Sequence, residues 1–489
     1  MKRCDDSRRV ESFHHLSAAL PVAGKCQGLA CFLARHQDVQ LWRNAVAQTP
    51  RIYCLGKCYL APATANDDQR PQMCVLAPQG IVLERLVLGG ARTFSQYQQQ
   101  GGYRAIEMAL GSTPQEIVRQ LEDSGLRGRG GAGFPTGKKW RAVLDQDSTT
   151  KIVIANGDEG DPGAYIDRFL LEDDPHCLIE GLLIAAYAVG ADRGYIYVRC
   201  EYPEARRALE RALNEARCEG LLGERVLGSP LSFDIALVIG KGSYVCGEET
   251  ALLNSIESKR PEVKLRPPYP TEEGLFGKPT LVNNVETLAS VPWILRNGAK
   301  AFRALGFSDS RGTKVISLNS LFRRPGLYEI EFGIPVRAIL EDIGGGLKTG
   351  ACKGVIIGGP LAGVIPPHLF DTRFGFEELH AIGAAVGHGG ILAFDKNTSI
   401  PQLVHHVFEF GAFESCGKCT PCRLGSLRIA QLFANVLDHG PGSALGRTEW
   451  QDIISALSQA SLCGLGTGLG EFGQSIRRYY AGDIQKCFE

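Results

Sequence analysis

The spacing of apolar and polar positions divides the chain into four stretches of different texture. In the first, residues 1–92, a helix-like run covers 32–47, a short strand-like piece covers 51–54, and alternation over 73–87 reads as strands. The polar stretch 93–103, rich in Gln and Gly, reads as a linker. The second stretch, 93–312, contains a sharp helix start at Thr113-Pro114-Gln115-Glu116, a capping box with Pro at the first helical position; the helix ends at Gly125. Apolar strands at 151–155, 194–198 and 233–239 then alternate with helices at 178–189, at 203–218 and from about Glu248, which predicts an α/β sheet domain. From 313 to 395 short strands and Gly-rich turns surround one helical piece at 336–342, as in a small α+β module. From 396 to 489 the period is helical.

Charge removes several function classes. Lys plus Arg (53) equals Asp plus Glu (53), so no net field draws the chain to nucleic acid or an anionic membrane. Aliphatic runs such as 182–188 are far shorter than the ~20 residues that cross a bilayer. Residues 1–15 are polar and charged, which predicts a cytoplasmic protein with no direct membrane insertion.

Cysteine usage brings in chemistry. Of 16 cysteines, eight fall into two groups, and grouped thiols in a reducing compartment read as metal or cluster ligands. Cys416, Cys419 and Cys422 stand three apart, with Cys463 available to close the set; this spacing favours an iron–sulfur cluster over zinc. Cys26, Cys31, Cys54 and Cys58 suit a 2Fe–2S cluster, the alternative being ordinary buried thiols.

Glycine, 59 residues, exceeds the usual ~7 % share. Gly128-x-Gly130-x-x-Gly133 matches the dinucleotide fingerprint in letters but follows a helix, where that fingerprint follows a strand. Its narrower meaning is a loop whose backbone approaches a phosphate or a flat ring. Two acidic groups follow strands: Asn156/Asp158/Glu159, and Glu248/Glu249. They suit ribose hydroxyls, an amide or a ring N–H, and the second also suits simple compensation of a helix dipole. Asn283 and Asn284 offer amides to a flat ring or form a turn; Phe134 and Tyr269 stack on a purine or pack their loops. His405 and His406 read as packing or surface residues.

Five phrases together carry a resemblance: Gly-Leu-Arg-Gly-Arg-Gly-Gly-Ala-Gly-Phe-Pro-Thr-Gly (125–137), Asn-Gly-Asp-Glu-Gly-Asp-Pro-Gly-Ala (156–164), Cys-Gly-Glu-Glu-Thr-Ala-Leu (246–252), Val-Asn-Asn-Val-Glu-Thr (282–287) and Glu-Ser-Cys-Gly-Lys-Cys-Thr-Pro-Cys-Arg-Leu-Gly (414–425). In this order they resemble the flavin-carrying, NADH-oxidising subunit of respiratory complex I and its diaphorase relatives. The resemblance implies an α/β domain binding FMN and NAD(H) over 93–312, a β-grasp (SLBB-like) module over 313–395, and a helical bundle over 396–489 holding a 4Fe–4S cluster. Cys-Gln-Gly-Leu-Ala-Cys (26–31) and Cys-Leu-Gly-Lys-Cys-Tyr-Leu-Ala-Pro (54–62) resemble the thioredoxin-like 2Fe–2S partner subunit, with a shorter gap between the pairs, and imply such a domain over 1–92.

Carried over by position, Gly128, Gly130, Gly131 and Lys139 would cradle FMN, and Asn156, Asp158, Tyr244, Gly247, Glu248, Asn283 and Asn284 would line its pocket. Phe134 and Tyr269 would hold adenine, while Glu159 and Glu249, the catalytic candidates, would sit near ribose and nicotinamide. Arg266 stands where the family commonly has Lys before Pro-Pro. The implied reaction passes a hydride between nicotinamide and flavin. The fused N-terminal unit is similar to diaphorase subunits of NAD-dependent formate dehydrogenases and hydrogenases. A formate dehydrogenase catalytic subunit is the first partner expected, with a hydrogenase or quinone-reducing complex as alternatives and a further iron–sulfur subunit compatible with each. An electron-wiring scaffold without nucleotide turnover and a zinc-stabilised ligand-binding module are the rival classes.

Overall fold

The computed structural model describes residues 24–35, 42 and 52–488. Most of the helix expected over 32–47 lies outside the described residues; the helix described there is Leu29–Ala34. The first strand, β1 (Gln72–Val75), corrects the expectation of a self-contained thioredoxin-like unit. Among the described residues it is the only strand before residue 150, and it joins the edge of a sheet built by the third stretch. The alternation over 73–87 does not continue as strand because Glu329 captures the backbone. Its buried carboxylate accepts from the N–H groups of Ile81, Val82 and Leu83 at 2.9–3.2 Å, and the chain turns into the helix Glu84–Val87. Residues 52–54, expected as strand, form a loop.

The polar 93–103 stretch is not a linker. Phe94–Gln99 is a helix whose Thr93 and Gln96 form a capping box. Tyr97 and Tyr103 anchor the segment in the core: the Tyr97 hydroxyl bonds Glu180, and Tyr103 lies 2.6 Å from His176 Nδ1. Arg70, Arg85 and Arg92 pair with Asp173 and Asp174, fastening this N-terminal stretch to the α/β domain.

That domain is built on β2 (Ile152–Gly157), β3 (Arg193–Val198), β4 (Asp234–Ile239) and β5 (Thr280–Asn284). All four are parallel, in the order β4-β3-β2-β5. A parallel sheet is covered on both faces, and the crossover helix Pro175–Val189 is accordingly buried along nearly its whole length. The helices Pro114–Ser124 and Pro203–Cys218 fall where their caps and charge pattern predict.

A short ribbon, β6 (Gly306–Phe307) with β7 (Ser310–Arg311), leads into the third stretch. There β8 (Thr313–Leu318), β9 (Gly326–Glu331), β10 (Cys352–Ile357), β11 (Val364–Ile365) and β12 (Gly390–Asp395) form, with β1, a mixed six-stranded sheet of order β1-β9-β8-β12-β10-β11. It is locked to the α/β domain by a buried ion pair between Lys314 on β8 and Glu286 in the helix Val285–Asn297. The C-terminal helices Ile400–Glu414, Ser426–His439, Ala444–Ala460 and Gly464–Tyr479 pack as a bundle. No helix among the described residues is long and apolar enough to cross a membrane.

Candidate functional site

The strand order creates the site. The chain runs from β2 outward to β3 and β4, then returns to place β5 on the other side of β2. The strand order thus reverses between β2 and β5, and a crevice opens at their carboxyl ends, where ligands of open α/β sheets collect. Asn156 pairs in register with Asn284 and Ala155 with Asn283, which brings the two asparagine groups to one rim. A cavity of about 730 Å³ opens there.

The Gly-rich loop forms its opposite wall. It closes on itself through the Gly128 N–H, which donates to Phe134 O at 2.9 Å, and then opens the helix Thr136–Leu144. At Gly130 a Cβ would come within 2.8 Å of Asn284 Cβ, so only glycine lets this backbone lie over the end of β5. Phe134 and Tyr269, each 51 % exposed, flank the outer mouth.

Between mouth and sheet lies a charged ledge. Glu249 receives Lys139 Nζ at 3.0 Å on one oxygen and Arg266 Nη1 at 2.8 Å on the other. Glu248 caps the helix Glu249–Ile256, accepting from Thr250 and Ala251 N–H at 2.9 and 3.0 Å, so both the helix-end reading and the pocket-lining position hold for it. The asparagines are mostly committed to the protein itself. Asn283 Oδ1 accepts from Trp140 Nε1 at 2.9 Å, Asn284 Nδ2 donates to Asp167 at 2.7 Å, and Asn156 Nδ2 donates to Gly247 O at 2.8 Å. They shape the rim as much as they could bind a ring.

Past Gly131, Gly247 and Asn284 the cavity continues into an inner lobe of about 430 Å³, bounded by Asp158, Tyr244, His388 and Cys463. The Tyr244 hydroxyl donates to Asp161 Oδ1 at 2.6 Å. Asp158 Oδ2 is buried without a hydrogen-bond partner, and burial pushes this carboxyl well above the usual range. A ring N–H is the kind of group that would satisfy it. With glycine backbone on one wall, amide and carboxyl groups on the other and Lys139 on the ledge, the residues fit a phosphorylated flat ring.

Glu159 departs from its expected role. It does not line either lobe. It is fully buried, accepting from the N–H groups of Ile166, Asp167 and Arg168 at 2.6–3.1 Å, and thereby closes the N-terminus of the helix Ile166–Asp173. A carboxylate so committed cannot reach a nucleotide, and Glu249 is the acidic candidate that remains in the cavity.

Both cysteine groups converge. Cys416 and Cys419 precede, and Cys422 lies in, a tight helical turn, Pro421–Gly425, while Cys463 caps the helix Gly464–Tyr479; Cys419 and Cys422 share a hydrogen bond that pulls the Cys419 thiol down to about 5. Cys463 also borders the inner lobe, so this thiol group and the cavity share a wall. Cys26, Cys31, Cys54 and Cys58 are buried together, with Cys26 hydrogen-bonded to Cys31 and Cys54 to Cys58. Backbone N–H groups of Gly28, Ala63 and Gly56 point at the sulfurs of Cys26, Cys31 and Cys54 at 3.3–3.4 Å, the arrangement that stabilises thiolates around iron. Arg199 donates to Cys54 O at 2.9 Å and to Glu159 O, tying this group to the back of the β2 loop.

The sequence reading missed His388, Asp161 and Asp167. His388 comes from the turn before β12, in a module treated as separate; the bridge between Gly131 and Gly387 brings that turn to the cavity. A lone histidine between glycines carries no spacing signal.

The Nuo51 FMN-binding domain family matches residues 121–293, and the NADH-ubiquinone oxidoreductase-F iron-sulfur binding region matches residues 402–487. The chain is 42 % identical over 390 residues to the F 2 subunit of the NADH-quinone oxidoreductase of Rhizobium meliloti, covering 79 % of this chain and 92 % of that protein. It is 43 % identical over 366 residues to the HndC subunit of the NADP-reducing hydrogenase of Solidesulfovibrio fructosivorans, covering 75 % and 74 %. Among solved structures, an NAD+-reducing [NiFe]-hydrogenase in the H2-reduced state superposes with a TM-score of 0.82 at 28 % identity, covering 99 % of this chain and 87 % of that one.

Proposed function

Because this chain belongs to the family of FMN-binding, NADH-oxidising subunits shared by complex I and NAD-reducing hydrogenases, with its 4Fe–4S region, we propose that it is the diaphorase subunit of an NAD-linked hydrogenase-type complex. One observation carries the reading: a single crevice runs from an exposed aromatic mouth to a wall formed by Cys463. Nucleotide enters at one end and electrons leave at the other. FMN, when bound, supplies the exchange between a two-electron hydride and one-electron carriers.

The chain's own residues do the rest. Phe134 and Tyr269 hold the adenine at the mouth. Lys139 and Arg266 meet phosphate, and Glu249, poised between them, turns to ribose hydroxyls. Gly128, Gly130 and Gly131 let the flavin approach the backbone, and Asp158 takes its ring N–H. Cys416, Cys419, Cys422 and Cys463 hold the 4Fe–4S cluster that receives electrons, and Cys26, Cys31, Cys54 and Cys58 hold a 2Fe–2S cluster behind the β2 loop.

The choice of partner follows coverage. The hydrogenase structure superposes on 99 % of this chain, including the N-terminal cysteine stretch. The relatives named above concern hydrogen and quinone, and none concerns formate, so a nickel-site partner replaces formate dehydrogenase as the first choice. Metal analysis of the complex purified with this chain tests it. Nickel with iron and FMN is expected; molybdenum would overturn the choice in favour of a formate-type partner, and a complex lacking FMN would overturn the diaphorase reading itself.

A further inference from the structure

His388 is a buried histidine on the wall of the inner lobe. Its Nε2 lies 3.0 Å from Asp167 Oδ2 and 3.3 Å from Glu159 Oε1. These are ion-pair contacts without hydrogen-bond alignment at Nε2, and no partner of Nδ1 occurs among the described residues. Asp167 is itself oriented by Asn284, and Glu159 by three backbone N–H groups. These two carboxylates hold the imidazole charged against the cost of burial, so that it deprotonates only at about 9. A bound cation in place of the imidazolium would require Glu159 to surrender backbone N–H groups, so the ring is the cation this pair is built for.

The other charged groups nearby do not cancel this arrangement. Lys314, beside Gly389, opposes the charge on His388 but is itself paired with Glu286; Asp161 is taken up by Tyr244, and Glu471 lies on the same lobe wall without contacting His388. An imidazolium donates from both nitrogens and accepts at neither. Whatever lies opposite Nδ1 must therefore be an acceptor atom. The inner lobe is also where the crevice meets Cys463, the end at which a redox ring has to sit to pass electrons on.

Resting on the flavin reading above, we propose that His388 is a cofactor-contacting donor that hydrogen-bonds an acceptor atom of the flavin ring and favours the negative charge the ring gains on reduction. The partner atom belongs to the ring carbonyl and nitrogen set rather than to the phosphate, because Lys139 and Arg266 stand at the other end of the crevice.

Redox titration of FMN in the full chain, wild type against His388→Gln and His388→Ser, tests this over pH 7 to about 10.5. The variants should shift the oxidised-to-reduced ratio about tenfold toward oxidised, a midpoint about 30 mV lower for a two-electron couple. The wild-type midpoint should fall more steeply with pH in a window beginning near 9, and the variants should lack that break. Equal midpoints and equal pH profiles in FMN-loaded proteins would overturn the role of His388 while leaving the flavin site intact. A wild-type chain that binds no FMN would overturn the flavin reading and this inference with it. Should both variants fail to fold, the wild-type profile decides alone: a straight line through pH 8–10 is the overturning result.

Discussion

Asn284 Nδ2 and Asp167 Oδ2 are joined at 2.7 Å between the first turns of two helices, one entering from β5 and the other from the β2 loop. Asn284 also caps its own helix by accepting from Thr287 N–H at 3.2 Å. One side chain thus fixes the distance between the two halves of the cavity rim.

Replacing Asn284 separates these duties. Asn284→Ala loses the cap and should cost about 1 kcal/mol in urea unfolding. Asn284→Asp keeps the cap but sets a second carboxylate against Asp167; it should cost more, and FMN should dissociate more readily in flavin-fluorescence titration. Equal FMN affinity in Asn284→Asp and wild type would contradict the assigned geometry.

The two acidic candidates should part company. Glu159→Gln removes a carboxylate that closes a helix end, so it should lower stability by roughly 1–3 kcal/mol and leave KM for NADH unchanged once folded. Glu249→Gln faces the cavity between Lys139 and Arg266; it should raise KM for NADH on the order of tenfold with unfolding unchanged. Steady-state kinetics paired with denaturation curves distinguishes them.

Phe134→Ala and Tyr269→Ala should each raise KM for NADH about tenfold, since stacking on one base is worth about 1–3 kcal/mol. FMN content should not change. With reduced nicotinamide mononucleotide, which lacks adenine, the variants and wild type should give the same rates.

His406 makes the docking of the N-terminal stretch sensitive to acid. Its ring stacks on Phe32 at 4.1 Å, and burial, with Arg35 and His405 nearby, lowers its pKa to about 3. The fold therefore holds it neutral, whereas the unfolded chain takes up a proton below about pH 6.5. Its stabilisation is complete above pH 6.5 and is lost as pH falls toward 3, at about 1.4 kcal/mol per pH unit. Thermal unfolding at pH 7 and pH 5 should show a larger drop for wild type than for His406→Leu.

Elements defined by local rules were readable from the sequence: Thr113 and Pro114 announce one helix, and Gly125, in the left-handed region at φ 70°, ends it. That each cysteine group converges in space was readable from its spacing. Other features depended on partners far along the chain. The strand alternation over 73–87 was real, but Glu329, some 250 residues away, takes the backbone N–H groups it would have used. A carboxylate after a strand looks the same in sequence whether it lines a cavity, as Glu249 does, or caps a helix seven residues on, as Glu159 does. Nor does all the glycine serve the cofactor. In the helix Gly464–Tyr479, a Cβ at Gly466, Gly468, Gly470 or Gly473 would lie 2.3–2.6 Å from a neighbouring atom; these residues permit close packing.

The pairing of β1 with β9 bears on separability. A chain shortened to begin after residue 92 would keep every residue of the flavin cavity, yet β9 would become a bare sheet edge, and Glu329 would be left buried with Thr313 but without its three N–H donors. The N-terminal cysteine stretch is therefore not a cassette that can be exchanged between relatives at a linker. Grafting it elsewhere requires a host sheet with a free edge and a carboxylate in the place of Glu329.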